Sequence, residues 1–165
     1  MSWTHFYSQR VNTTYQAYFE QRYKPFLDAA FSLQPSLILE EGCGIGSVGK
    51  FFAKTGISVY GYDIDDQMVD LATTNTREWR KQIHYWQDNI LKPDGLPLNF
   101  EAPDLIITHG VLEHFTNDEL AVILGRYKSS GISSIHYVPT AKYQTPSFGD
   151  ERLLFSGDWL EILDR

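Results

Sequence analysis

The stretch SLILEEGCGIGSVGKFF, residues 36–52, constrains the fold more than any other part of the chain. A short apolar run, SLILE, passes directly into a glycine-rich turn. The turn passes into SVGKFFAKTG, which fits a helix closed by Gly56. Strand, glycine turn and helix in that order place backbone N–H groups around a ligand at the helix start. The rest of the chain repeats the alternation. ISVYGYD, IHYWQD, PDLIITHG and GISSIHYVP read as further strands. DDQMVDLATTNTREW and NDELAVILGRYKSS read as helices, capped by Asp65 and by Thr116 or Asn117. The strands are apolar runs more than alternating patterns, which points to a parallel sheet covered on both faces. The expected fold is α/β, a Rossmann-like doubly wound sheet of about five mainly parallel strands with flanking helices. Its ligand belongs at the C-terminal edges of the strands.

The chain of 165 residues is expected to form a single domain. Residues 1–35 form an N-terminal helical segment. There VNTTYQAYFEQRYKPFLDAAFSL reads as helix, with Asn12 or Thr13 as cap and Pro25 kinking or splitting it. Residues 36–138 form the core, and residues 139–165 a candidate substrate loop and a terminal helix capped by Ser156. No apolar run approaches the length of a membrane helix. The first ten residues lack a signal-peptide layout, so a cytoplasmic location is expected. The formal charge of −7 and scattered basic residues argue against a nucleic-acid surface. Cys43 is the one cysteine and reads as a small filler between glycines. No metal-ligand spacing is present in the sequence.

The glycine stretch fits three patterns. Gly44 to Lys50 spell most of a P-loop, but Phe51 stands where a magnesium-binding Ser or Thr is needed, and Lys50 reads as a solvated helix residue. Gly44, Gly46 and Gly49 spell the dinucleotide fingerprint, with Asp63 at 19 residues from Gly44 as a ribose ligand. Glu40, Gly42, Gly44 and Gly46 spell a third, acidic-x-G-x-G-x-G. A carboxylate at Glu40 suits a ligand with cationic groups better than a pyrophosphate.

Four landmarks in order carry a resemblance: LEEGCGIG at 39–46, VYGYDIDDQMVDLA at 59–72, WQDNILKPDGLPL at 86–98 and PDLIITHGVLEHF at 103–115. Together they resemble the class I S-adenosylmethionine-dependent methyltransferases, in their small-molecule branch. The resemblance implies S-adenosylmethionine as cofactor. Gly42, Gly44 and Gly46 would wrap its methionine part, and Glu40 would orient the loop and the ammonium. Asp63 would accept the ribose hydroxyls. Ile64 and Met68 would press on the adenine, and Asp88 and Asn89 would meet its edge. His109 and Gly110 would lie beside the methionine carboxylate. His109, Glu113 and His114 are the candidate bases. Tyr143, Phe148 and Arg152 would face the acceptor, and Tyr7 and Tyr15 would close a lid. Plainer roles compete. Asp88 also suits a turn before Pro93, Ile64 and Met68 suit a core, Glu113 and His114 suit a brace for the next helix, and Arg152 suits a surface bridge to Asp150 or Glu151.

The implied activity is methyl transfer to an O or N atom of a small molecule. The place after the fourth strand reads THGVLEHF, without the Asn/Asp-Pro-Pro-aromatic step of adenine-amino enzymes, and no Pro-Cys nucleophile is present. A cofactor-binding but inactive subunit needing a partner chain, and an NAD-dependent oxidoreductase, are the alternatives. The family's sixth and seventh strands have no counterpart in the sequence. The chain is therefore expected to be a fragment, a short form, or one subunit. A homodimer or a partner chain would cover the edge of the fifth strand.

Overall fold

The computed structural model describes residues 3–97, 100–143 and 150–163. Five strands, β1 (Leu37–Glu41), β2 (Ser58–Asp63), β3 (Ile83–Gln87), β4 (Leu105–His109) and β5 (Ser133–Tyr137), form one sheet in the order β3-β2-β1-β4-β5. Every pairing is parallel, with Leu39 opposite Tyr60 on one side and Ile106 on the other. The order reverses between β1 and β4. That switch point opens a crevice beyond the carboxyl ends of the strands.

The helices are α1 (Trp3–Ser8), α2 (Thr13–Arg22), α3 (Lys24–Ser32), α4 (Ser47–Lys54), α5 (Asp66–Asn75), α6 (Asn117–Ser130) and α7 (Ser156–Leu163). Alternate residues of the central strands feed two cores. Ile38, Leu105 and Ile107 pack with Phe19, Leu27, Val48 and Phe52 from α2, α3 and α4. Leu39 and Ile106 pack on the other face with Leu120, Ile123 and Tyr127 of α6 and Trp159 of α7. Phe52 is wholly buried, and burial of one such side chain contributes about 1.5–3 kcal/mol.

Local chemistry sets the helix limits. The Asn12 carboxamide oxygen accepts from the Tyr15 N–H at 2.8 Å and starts α2. The chain breaks at Tyr23, and Pro25 lies in the first turn of α3, so the proline splits the helix. Asp65 caps α5 through the Gln67 N–H. Thr116 and Glu119 form a reciprocal capping box on α6, and Gly131, at φ 67°, ends it. Two local expectations are corrected. Ser156 is the first residue of α7 and not its cap; the Phe155 N–H before it donates to the Asp158 carboxylate at 3.0 Å. Helical winding also begins earlier than the sequence suggests, with α1 ahead of Asn12.

Candidate active site

The loop after β1 winds through left-handed backbone at Gly42 (φ 73°), Gly44 (φ 52°) and Gly46 (φ 72°). A Cβ on Gly42 would also lie 2.5 Å from a methyl of Val111. The loop is tied on three sides. Gly42 and Cys43 donate their N–H groups to the Tyr62 carbonyl, each at 2.9 Å. Gly44 donates to the Asp63 carboxylate at 2.9 Å. The Asn75 carboxamide donates to the Ile45 carbonyl at 2.8 Å.

Glu40 is buried, and one of its oxygens accepts from the Gly49 N–H at 3.2 Å, inside the first turn of α4. Burial pushes its carboxyl well above the usual range. The helix start that a phosphate would use is thus already engaged by a carboxyl group. Lys50 departs from its expected solvated state. It is buried, its ammonium donates to the Asn75 side chain at 3.0 Å, and it lies 5.6 Å from the Trp79 ring. Both features fit poorly with a P-loop.

A cavity of about 370 Å³ lies at the switch point. Gly42 and Gly44 form one wall, and Asp63, Ile64 and Met68 the next. Asp88, Asn89, Ile90 and Leu91 follow, and His109, Gly110 and Val111 return along β4. Tyr7, His114, Phe115 and Asp150 close the remaining side. Asp63 ends β2 with one oxygen on the Gly44 N–H and the other on the Asp65 N–H at 3.1 Å. Burial raises its carboxyl, and the backbone N–H groups of Asp65, Gly44 and Ile64 oppose that shift. Asp88 accepts from the Asn89 N–H at 2.7 Å and from the Asp94 N–H at 3.2 Å, so its carboxylate also closes the turn around Pro93. Ile64 is 65% exposed on the rim, whereas Met68 is buried beneath it.

His109 stands among aromatic rings. It stacks on Tyr137 at 4.8 Å and meets the edge of Tyr23 at 4.2 Å, with Phe19 and Phe26 beyond. Burial pushes its imidazole down to about 4, so the ring is neutral near pH 7. Glu113 sits behind Gly110, 3% exposed, with one carboxyl oxygen lacking a hydrogen-bond partner. Burial pushes it up to about 8, helped by Glu151 and Asp150. The His114 Nδ1 lies 3.2 Å from an Asp150 oxygen.

The other expected residues are distributed as follows. Glu40, Gly46 and Glu113 lie behind the cavity wall and not on it. Arg152 is corrected: its guanidinium donates to the Phe115 carbonyl and, at 2.6 Å, to the Asn117 side chain, and so pins the start of α6 instead of facing an acceptor. Tyr143 lies outside the cavity lining, near enough to Tyr7 and Tyr15 to help raise both phenols. Phe148 lies outside the described residues. Of the two lid tyrosines, Tyr7 reaches the cavity and Tyr15 packs on the core instead.

A buried ionic network escaped the sequence reading. Glu41 is wholly buried at the end of β1. Arg126 of α6 meets it with two bonds of 2.8 and 3.0 Å, and the Tyr127 hydroxyl donates to the same carboxylate. Arg126 also donates to the Ile90 carbonyl at 3.1 Å, which ties the loop after β3 to the strand carrying the glycine turn. The signal available was a second glutamate ending an apolar strand, a charge that needs a partner once buried.

A parallel sheet with a left-handed glycine loop after its first strand, and carboxylates ending the next two, defines a Rossmann-like domain with its ligand site at the switch point. Residues 38–129 match the family model described as a methyltransferase domain, and the chain belongs to that family. It is 26% identical over 89 residues to a ubiquinone biosynthesis O-methyltransferase from Coxiella burnetii, covering 54% of this chain and 37% of the relative. It is 28% identical over 104 residues to a magnesium-protoporphyrin O-methyltransferase from Synechocystis, covering 63% of this chain and 44% of the relative. The chain therefore spans less than half the length of either. The crystal structure of magnesium protoporphyrin IX methyltransferase from Synechocystis PCC 6803 with bound SAH superposes with a TM-score of 0.67 at 19% identity, covering 88% of this chain and 71% of that one. Among the described residues no helix is long and apolar enough to cross a membrane.

Proposed function

We propose that the chain moves a methyl group from S-adenosylmethionine to an O or N atom of a small-molecule acceptor. The observation that carries this reading, beside family membership, is the single cavity walled by Gly42 and Gly44, Asp63 and Asp88 at the ends of three neighbouring strands. Asp63 accepts from the ribose hydroxyls, as a carboxylate at the cavity wall suits. Ile64 and Met68 cover the adenine, and Asp88 and Asn89 meet its edge. Gly42, Gly44 and Gly110 bring bare backbone to the methionine part. Glu40 serves from behind, by holding the loop to α4.

The sulfonium supplies an activated methyl carbon. The chain's task is to align the acceptor with the methyl–sulfur bond and keep water out. Such alignment is worth roughly 7–11 kcal/mol in favourable cases. Where the acceptor carries a proton, Glu113 and His114 are the bases at that end. His109 is a weak base in its aromatic surroundings and acts by packing. The reaction belongs in the cytosol. A second copy or another chain pairs with the edge of β5, an association that sedimentation at micromolar concentration would detect.

Transfer of a labelled methyl group from S-adenosylmethionine to small amines and alcohols tests the reading. Label should move with the native chain and not with Asp63→Ala. Cofactor binding without transfer to any acceptor would favour an inactive subunit instead. Unchanged turnover of His114→Ala across pH 6–9 would leave Glu113 as the base.

A further inference from the structure

The acceptor end of the cavity has an unusual charge balance. Among the described residues that line the cavity, the carboxylates are Asp63, Asp65, Asp88 and Asp150, and no lysine or arginine is present. Asp63 and Asp88 belong to the cofactor half in the reading above. Asp150 stands on the opposite side with Tyr7, His114 and Phe115. Behind it Glu113 is buried with an unpartnered carboxyl oxygen, and Asp150 and Glu151 both act on it electrostatically. Three carboxyl groups therefore meet at this end. The two nearest arginines stand outside the cavity lining and hold neutral partners. Arg152 is bound to the Phe115 carbonyl and Asn117. Arg10 lies 3.5 Å over the Phe6 ring and donates to the Phe6 carbonyl.

We infer that the acceptor end of this cavity selects a molecule carrying a protonated amine beside an apolar body, and turns away carboxylates and phosphates. The inference rests on the methyltransferase reading. Physically, an ammonium group beside Asp150 and Glu113 offsets the mutual repulsion of the carboxyls, whereas an anion adds a further like charge in a partly desolvated space. Val111 and Phe115 supply the apolar wall for the body of the molecule. Burial is the main reason Glu113 holds its proton, with Glu151 and Asp150 adding to it, and a docked cation offsets part of that cost. The chemistry then balances. The ammonium passes one proton to the imidazole of His114, which lines the cavity. The nitrogen lone pair forms the new N–C bond as the C–S bond breaks, and sulfur keeps that bonding pair. The products are the N-methylated ammonium and S-adenosylhomocysteine.

The test uses the purified chain saturated with S-adenosylhomocysteine and three probes of matched shape: 2-phenylethylamine, 2-phenylethanol and 3-phenylpropanoate. The amine should bind tightest, by about tenfold over the carboxylate, the scale of one partly screened charge contact. The preference should shrink with added salt. Asp150→Asn, at an exposed position, and the near-isosteric Glu113→Gln should each lower the ratio of amine to carboxylate binding. Equal or tighter binding of 3-phenylpropanoate, binding of none of the three, or a ratio unchanged in both variants would overturn the inference. Failure of S-adenosylhomocysteine itself to bind is a separate result. It would remove the methyltransferase reading first, and this inference with it.

Discussion

Gly49 shows how the sequence pattern of the loop turns into packing, and it can be tested quantitatively. A Cβ at Gly49 would overlap the Tyr85 hydroxyl of β3, while its next neighbours, Tyr85 Cζ and a Glu40 oxygen, would stand at 3.4 Å. Gly49 lies inside α4, where alanine is otherwise favoured by about 1 kcal/mol. Overpacking of a tight interior costs about 1–3 kcal/mol. Gly49→Ala should therefore lose a net of up to about 2 kcal/mol. The obstacle is one oxygen atom. In a Tyr85→Phe background the closest remaining contacts are near ordinary van der Waals distance, so the same substitution should be neutral or stabilising. The coupling between the two sites should be about 1 kcal/mol or more. Gly46 provides the contrast. Its Cβ would lie 2.6 Å from the same hydroxyl, but its φ is 72°. A left-handed alanine keeps a cost of about 1–2 kcal/mol, so Tyr85→Phe should rescue Gly46→Ala only in part. Urea unfolding of the four proteins in each cycle gives the comparison. A Gly49→Ala chain more stable than the native one, or strictly additive effects in the cycle with Tyr85→Phe, would refute the packing argument.

Arg126→Ala leaves the Glu41 carboxylate wholly buried with only the Tyr127 hydroxyl, and should destabilise the chain by about 3 kcal/mol in urea unfolding. The stability–pH curve should fall on both sides. Glu113, raised to about 8, binds a proton more readily folded than unfolded, so its contribution is full below the ordinary glutamate range and is lost as pH rises through about 8. Glu40 acts in the same direction. Glu113→Gln should flatten that limb in thermal melts between pH 5 and 9. His109 and His136, both lowered to about 4 by burial, give the opposite limb, with stability lost as pH falls from about 6.5 towards 4. His109→Phe should reduce it. Asp63→Ala should abolish binding of S-adenosylhomocysteine while also loosening the Gly44 turn, visible as faster amide exchange across 42–46.

The fold was legible because short apolar runs, glycine turns and helix caps all give the same answer at each step. Asn12, Asp65 and Thr116 announce helices by local hydrogen bonding alone, and the structure uses all three. The candidate site was legible where it depends on strand ends, as with Asp63 and Asp88, since alternation places those ends along one edge of the sheet. Contacts between distant segments were not legible. Nothing local pairs Glu41 with Arg126, residues 85 positions apart. The same holds for Lys50 and Asn75, whose bond turns an expected surface lysine into a buried tie. Arg152 read either as facing an acceptor or as bridging to Asp150 or Glu151, because its partners, Phe115 and Asn117, are brought to it only by the turn after β4. Ser156 failed as a cap for a smaller reason: the helix begins at Ser156 itself, with the Asp158 side chain reaching back to the Phe155 N–H before it.

Calorimetric titration of the purified chain with S-adenosylhomocysteine, with NAD and ATP run in parallel, decides which ligand the glycine loop serves. S-adenosylhomocysteine alone should bind, at micromolar concentration, and Asp63→Ala should lose that binding. Heat from NAD with silence from S-adenosylhomocysteine would contradict the methyltransferase reading.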